Sequence, residues 1–173
     1  LSIGERILAI LKADGLDILS HSAEQTHRLG ARLGALLQPG DVICLSGDLG
    51  AGKTAFAQGI GYGWGVTLPL TSPTYNLVHI HHREKDKHRL YHLDCYRLED
   101  VADAASIGLD EIFDEGEMLI FEWPEQIEET LPKERLWVDL HVVEATRRNF
   151  IFDGCGQRYL DLIAKFREET YGV

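Results

Sequence analysis

The chain has 173 residues, 45% of them hydrophobic and 26% charged, which suits one soluble globular domain with a sizeable core. Its formal net charge of -11 argues against a broad face for nucleic acid or an anionic membrane, because both would be repelled; a local basic pocket or a basic protein partner is compatible with it. No apolar run approaches the ~20 residues of a membrane span. No secretory signal shows in Leu1–Lys12, and Cys44, Cys95 and Cys155, without C-x-x-C spacing, read as reduced thiols of a cytoplasmic protein.

In chain order, residues 1–15 read as an N-terminal helical extension, with Ile3, Ile7, Leu8 and Leu11 at helical spacing and Asp14-Gly15 ending the run. The main domain is expected over 16–156, with a C-terminal helix over 157–173 packed on the same domain. Leu16–Leu19 is a candidate strand. Ser22 and Gln25 form a capping box, and Thr26, Leu29, Gly30, Leu33, Leu36 and Leu37 mark one face of the helix that follows. Pro39-Gly40-Asp41 stops that helix and feeds the apolar strand Val42–Leu45.

The next stretch, Gly47-Asp48-Leu49-Gly50-Ala51-Gly52-Lys53-Thr54, fits G-x-x-x-x-G-K-[ST]. Its glycines let the backbone turn tightly and aim N–H groups inward at a polyphosphate. Lys53 supplies a point charge for the β- and γ-phosphates, and Thr54 a hydroxyl for Mg²⁺. By chance the bare pattern turns up in roughly one chain in a few hundred of this length. Here an apolar strand precedes it and a helix, Thr54–Ile60, follows, so the positive helix end would face the phosphates.

Gly59, Gly61, Gly63 and Gly65 read as a loose helix end and turn, and Val66–Leu70 as a short strand. Thr71-Ser72-Pro73-Thr74 is a hydroxyl-rich turn of the kind that senses a γ-phosphate; the alternative is a proline-ordered turn whose hydroxyls bond the local backbone. Tyr75–His82 and His88–Asp94 alternate as a hairpin turning at Arg83–Lys87. Its histidines lack a cysteine partner and the tip looks exposed, so a structural metal is not expected; His92 is expected to orient Asp94 by a hydrogen bond. Leu98–Ile107 reads as a surface helix, with Leu109, Ile112 and Phe113 capping it against the core. Glu111, Asp114, Glu115 and Glu117 read as a solvated face.

Met118–Phe121 is a continuous apolar run ending in Glu122-Trp123-Pro124, and an apolar strand delivering one carboxylate at its C-terminal end is the Walker B arrangement. Glu122 is the better metal candidate with Thr54, directly or through a water, because its charge would be costly there without a cation. Asp94 could orient or deprotonate an attacking water, or hold a water on the metal. Trp123 could stack on a ligand or be a core aromatic. Leu136–Val143 and Phe150–Phe152 are further strands, and Gln157–Thr170 a closing helix with Tyr159, Leu162, Ile163 and Phe166 inward. The sum is a three-layer α/β domain of the phosphate-loop NTPase type with a mixed central sheet.

These motifs together, Gly47–Thr54, Thr71-Ser72-Pro73-Thr74-Tyr75, His92-Leu93-Asp94-Cys95-Tyr96-Arg97-Leu98 and Glu122-Trp123-Pro124-Glu125, resemble the TsaE (YjeE) family in order and spacing over residues 16 to about 154. Members are bacterial ATPases of tRNA threonylcarbamoyladenosine (t6A) biosynthesis, weak alone. The resemblance implies ATP and ADP as nucleotides, Mg²⁺ as metal, and TsaB and TsaD as partners, with tRNA engaged only through that complex. It implies Thr54 and Glu122 as metal ligands, Asp94 as the catalytic or water-orienting acid, Thr71–Thr74 as a switch-like loop and Trp123 as the tryptophan beside the metal acid. It also places Thr26 near the nucleotide base and Arg148 at a basic position of the family pattern.

Two other classes fit the phosphate loop. A small-molecule or nucleotide kinase needs a lid with paired arginines, and Arg147-Arg148 is the adjacent pair, near a predicted strand. A GTP switch needs [NT]-K-x-D after the loop; the nearest string, Leu11-Lys12-Ala13-Asp14, lacks the first residue and precedes it.

Overall fold

A computed structural model describes residues 15–71 and 76–172. The expected helix before residue 15, together with Ser72, Pro73, Thr74 and Tyr75, therefore lies outside the described residues. The strands are β1 (Leu16–Ser20), β2 (Val42–Ser46), β3 (Val78–His82), β4 (Arg89–Asp94), β5 (Met118–Glu122), β6 (Arg135–Val142) and β7 (Arg148–Cys155). They form one seven-stranded sheet in the order β1-β7-β6-β2-β5-β4-β3. The centre, β6-β2-β5-β4, is parallel, and β7, β1 and β3 add antiparallel flanks. Buried on both faces, β2 and β5 read as unbroken apolar runs, as central parallel strands do.

Helices α1 (Ala23–Leu36), α2 (Lys53–Trp64) and α5 (Gln157–Tyr171) cover one face. Leu33, Phe56, Ile60 and Phe166 meet Ile43, Leu45, Phe150 and Phe152 there. On the other face lie the short helices α3 (Val101–Ser106) and α4 (Leu109–Asp114) and the 3-10 turns of Pro124–Thr130. A second core of Cys44, Leu93, Leu109, Phe121, Ile127 and Trp137 fills that side. The result is a three-layer α/β fold with a mixed sheet. Among the described residues no helix is long and apolar enough to cross a membrane.

Local differences from the sequence reading have physical causes. Helix α2 does not loosen at Gly59 but continues through Gly61 and Gly63 to Trp64, with Gly65 left-handed at its end (φ 95°). The glycines are there for contact. A Cβ on Gly59 would lie 2.2 Å from the His27 carbonyl oxygen, one on Gly63 1.9 Å from that of Ala31, and one on Gly30 2.4 Å from that of Phe56. The backbones of α1 and α2 thus touch, and tertiary packing overrides glycine's poor helix propensity. Val66–Leu70 is not a strand; Val66 makes a single bridge to Arg83. Ser22 caps α1 as expected, accepting from the Gln25 N–H at 3.1 Å, but the Gln25 side chain takes the N–H of His21 (2.7 Å) instead of that of Ser22. The acidic segment is only partly a solvated face. Glu117 accepts from the Arg89 backbone at 3.0 Å and pairs with His88, while Glu115 binds the Arg89 guanidinium at 2.8 Å and the Tyr91 hydroxyl.

Candidate functional site

The phosphate loop joins β2 to α2 at the C-terminal edge of the parallel strands, where α/β sheets place ligands. Gly47 has φ 149° and a Cβ there would sit 2.5 Å from the Leu140 carbonyl oxygen, so the loop can only pass over β6 with glycine at that position. Gly52 (φ 101°) leads into α2 without a side-chain cap, leaving the first N–H groups of the helix for a ligand. Leu49, at the loop tip, is 88% exposed.

Lys53 is buried and folded back on its own loop. Its ammonium donates to the Gly47 carbonyl and, at 2.9 Å, to that of Asp48, and lies 4.1 Å from the centre of the Trp123 ring. Burial pulls its pKa below the ordinary lysine value, and the carboxylates of Glu122, Glu125, Asp48 and Asp94 oppose that shift. Trp123 is left-handed (φ 55°), which turns the chain sharply out of β5; its ring also meets Tyr96 at 4.9 Å. It is neither free nor wholly core: it packs on the second core and covers the Lys53 ammonium.

Beneath the loop, the Thr54 hydroxyl lies 3.4 Å and 3.5 Å from the two carboxylate oxygens of Glu122. Oxygens that share one octahedral Mg²⁺ at ~2.1 Å stand about 3 Å apart, so this pair suits a common cation with little movement. Asp94 sits directly across the β4–β5 ladder from Glu122. Like charges directly opposed on neighbouring strands repel, and a hard cation between oxygen ligands removes that cost. The half-buried Asp94 accepts the Tyr96 N–H at 3.0 Å, leaving its second oxygen free of that turn.

The expected hydrogen bond from His92 to Asp94 is not formed. His92 Nε2 instead meets Glu122 Oε1 at 2.8 Å. The cause is sheet order: β5 lies beside β4, and Glu122 is diagonal to His92, whose direct neighbour is Ile120. Among the described residues no group of three or more His, Cys, Asp or Glu side chains is placed to hold a metal.

A cavity of about 340 Å³ opens beside the loop, lined by Ser22, Thr26, Gly52, Ala55, Thr146 and Arg148. Thr26 is buried and its hydroxyl bonds Ser20 at 2.8 Å, so it shapes the wall while its polar atom is occupied. Arg148 donates to the Gly50 carbonyl at 3.3 Å and to the carbonyls of Glu144, Ala145 and Arg147, tying the β6–β7 turn to the phosphate loop. Thr71 is exposed just after the buried Leu70, whose carbonyl accepts from Gln58 at 2.9 Å. Ser72 and Thr74 lie outside the described residues, so the sensing loop stands as an expectation.

Sequence reasoning missed the hydrogen bond from Ser46 to Glu125, which ties the end of β2 to the 3-10 turns. The only signal for it was an acid one step past the Trp-Pro turn. Of the cysteines, Cys44 and Cys95 are buried and Cys155 exposed, all free thiols; burial pushes the Cys95 thiol up to about 12 and raises that of Cys44 as well.

A family model described as "Threonylcarbamoyl adenosine biosynthesis protein TsaE" matches residues 20–150. Over 136 residues the chain is 38% identical to the tRNA threonylcarbamoyladenosine biosynthesis protein TsaE of Bacillus subtilis, spanning 79% of this chain and 84% of that protein. The protein of the same name from Treponema pallidum is 37% identical over 125 residues, 72% of this chain and 90% of its own. The crystal structure of YdiB from Bacillus subtilis is similar at a TM-score of 0.75 and 32% identity, covering 90% of this chain and 96% of that one.

Proposed function

This chain belongs to the TsaE family, and from that premise we propose that it binds ATP with Mg²⁺, hydrolyses it to ADP, and thereby drives turnover of a TsaB–TsaD complex that makes t6A in tRNA. One observation carries the reading: a phosphate loop stands over a threonine hydroxyl and a buried strand-end carboxylate that face each other, with a second acid in register.

The loop amides and the N-terminus of α2 receive the β- and γ-phosphates, and Lys53 leaves the carbonyls of Gly47 and Asp48 to meet them. Thr54 and Glu122 would hold Mg²⁺, which would supply neutralising charge for the phosphate oxygens. Asp94 orients the attacking water in line with the γ-phosphate. The cavity between Thr26 and Arg148 takes the base. The Thr71–Thr74 segment, Ser72 included, reports the hydrolysis state to the partner. No arginine of the motifs serves as a finger for the transferred phosphate, so the rate is low alone and rises when a partner completes the site. The net charge of -11 supports contact with tRNA through the partner complex alone; the protein would act in the cytoplasm.

The test is phosphate release by wild type and Glu122→Ala, each with and without TsaB and TsaD. Release stimulated by the partners in wild type only is expected. Equal rates in all four samples would overturn the proposal. Co-purification with TsaB and TsaD under ATP, repeated under ADP, reads the switch directly, and retention that ignores the nucleotide would remove it.

A further inference from the structure

His92 is wholly buried, and the Glu122 side chain is 4% exposed. The ring projects from β4 on the face it shares with Leu90, toward the core beneath α2, and its neighbours across the ladders are Ile120 and His79. A leucine would fill such a place without any polar atom to desolvate. What the imidazole adds is one hydrogen bond, Nε2 to Glu122 Oε1 at 2.8 Å. Its Nδ1 is buried and has no partner among the described residues. Nε2, facing a carboxylate oxygen that accepts, is the nitrogen that makes the ring's one contact with the site.

That single bond has a geometric consequence. The last torsion of a glutamate is broad and roughly two-fold, so the carboxylate turns easily unless it is held. Here Oε1 is pinned from the core side, and the group presents its oxygens to Thr54 at nearly equal distances of 3.4 Å and 3.5 Å. Asp94, in register beside it, pushes the other way. Partners that grip a ligand from behind in this manner set its orientation and basicity, and losing one typically costs 10–100-fold in metal affinity.

We propose that His92 is a positioning residue for the divalent cation, holding the Glu122 carboxylate toward Thr54 from the interior of the sheet. The proposal rests on the reading of Glu122 as a metal ligand given above. It assigns the histidine of the His-x-Asp segment to the acid on the neighbouring strand, and not to the aspartate two residues on.

Three variants separate positioning from packing. His92→Leu removes the bond and keeps an apolar core. His92→Gln carries an amide nitrogen at about the reach of Nε2, whereas His92→Asn reaches only as far as Nδ1. The principal readout is Mn²⁺ affinity of the ADP complex, titrated by electron paramagnetic resonance. Alongside it are measured metal-free ADP binding and the Mg²⁺ concentration giving half-maximal phosphate release. The expected result is 10–100-fold weaker Mn²⁺ binding for Leu and Asn, recovery of most of it by Gln, and metal-free ADP affinity within about twofold throughout. Wild-type Mn²⁺ affinity in His92→Leu would overturn the proposal while leaving the ATPase reading standing. So would an equal loss in Leu, Asn and Gln together with loss of metal-free ADP binding, which marks a merely structural histidine. A wild type that neither binds Mn²⁺ with ADP nor releases phosphate removes the ATPase reading, and this proposal with it.

Discussion

Alanine at Gly30 sets two opposed effects against each other. Gly30 lies in the interior of α1, where alanine is favoured over glycine by about 0.8–1 kcal/mol through helix propensity alone. Its new Cβ, however, would stand 2.4 Å from the carbonyl oxygen of Phe56, 2.9 Å from the nitrogen of Ile60 and 3.0 Å from the Cα of Gly59. An unstrained carbon-to-oxygen contact is about 3.3–3.6 Å, so α1 and α2 must part by roughly 1 Å. The atoms met are backbone, which cannot swing aside, so the cost falls at the upper end of the overpacking range, about 3 kcal/mol. The net expectation is a loss of about 2 kcal/mol. With a denaturant slope of about 2 kcal/mol per molar urea, the unfolding midpoint falls by about 1 M. Because α1 carries Thr26 and α2 carries Lys53 and Thr54, nucleotide affinity should fall with it. Gly61→Ala is the control: its Cβ meets the end of the buried Leu70 side chain at 2.2 Å and not the α1 backbone, so the loss should be smaller than at Gly30 and should not part the two helices. A neutral or stabilised Gly30→Ala protein would show that the helices can part freely and that propensity alone decides the site.

Other perturbations read other parts of the structure. Asp94→Asn keeps the oxygen that accepts from Tyr96 but removes the charge opposite Glu122. Without ligand its melting temperature should rise, by the equivalent of about 0.2–1 kcal/mol, while phosphate release falls by about 10²-fold or more; unchanged turnover would remove Asp94 from the chemistry. His81 is held neutral, its pKa lowered to about 4 by burial and by the neighbouring His92, His79 and His82. Above about pH 6.5 the ring is neutral folded and unfolded alike, so it contributes nothing. Between 6.5 and about 4 the unfolded chain takes up a proton that the folded one refuses, so stability should fall as pH falls across that window and then level off. Urea midpoints at pH 7, 6 and 5 should show a shallower decline in His81→Gln than in wild type; parallel declines would count against it. Tyr159→Phe strips the Val42 N–H of its acceptor at 2.7 Å and should cost about 1–3 kcal/mol by urea unfolding, with phosphate release intact because that contact lies at the far end of β2 from the loop.

The parts of the fold that were legible in sequence were those in which one local rule governs. β2 and β5 are unbroken apolar runs, α1 has its serine cap and periodic face, and the phosphate loop has its glycines and Lys53 at fixed offsets. The rest depended on what lies alongside. Glycines at 59 and 63 look like a fraying helix until α1 is laid against them, and the glycine at 61 until Leu70 is. The alternation of β4 puts Leu90, His92 and Asp94 on one side, yet nothing in that segment says that β5 is the adjacent strand, so the partner of His92 could not be read. Arg148 is some hundred residues from Gly50 in the chain and reaches it only because β7 pairs with β6 and β6 with β2. Val66–Leu70 has strand composition but makes a single bridge, Val66 to Arg83, and no ladder.

Lys53, held by Gly47 and Asp48 and roofed by an indole, makes the resting loop a stoppered one. On the proposed function, a triphosphate would compete with two carbonyls for the same ammonium and gain only the difference between two good partners. Its affinity would thereby be moderated from within, and departure of a diphosphate product eased by the same exchange, since the lysine has somewhere to return to.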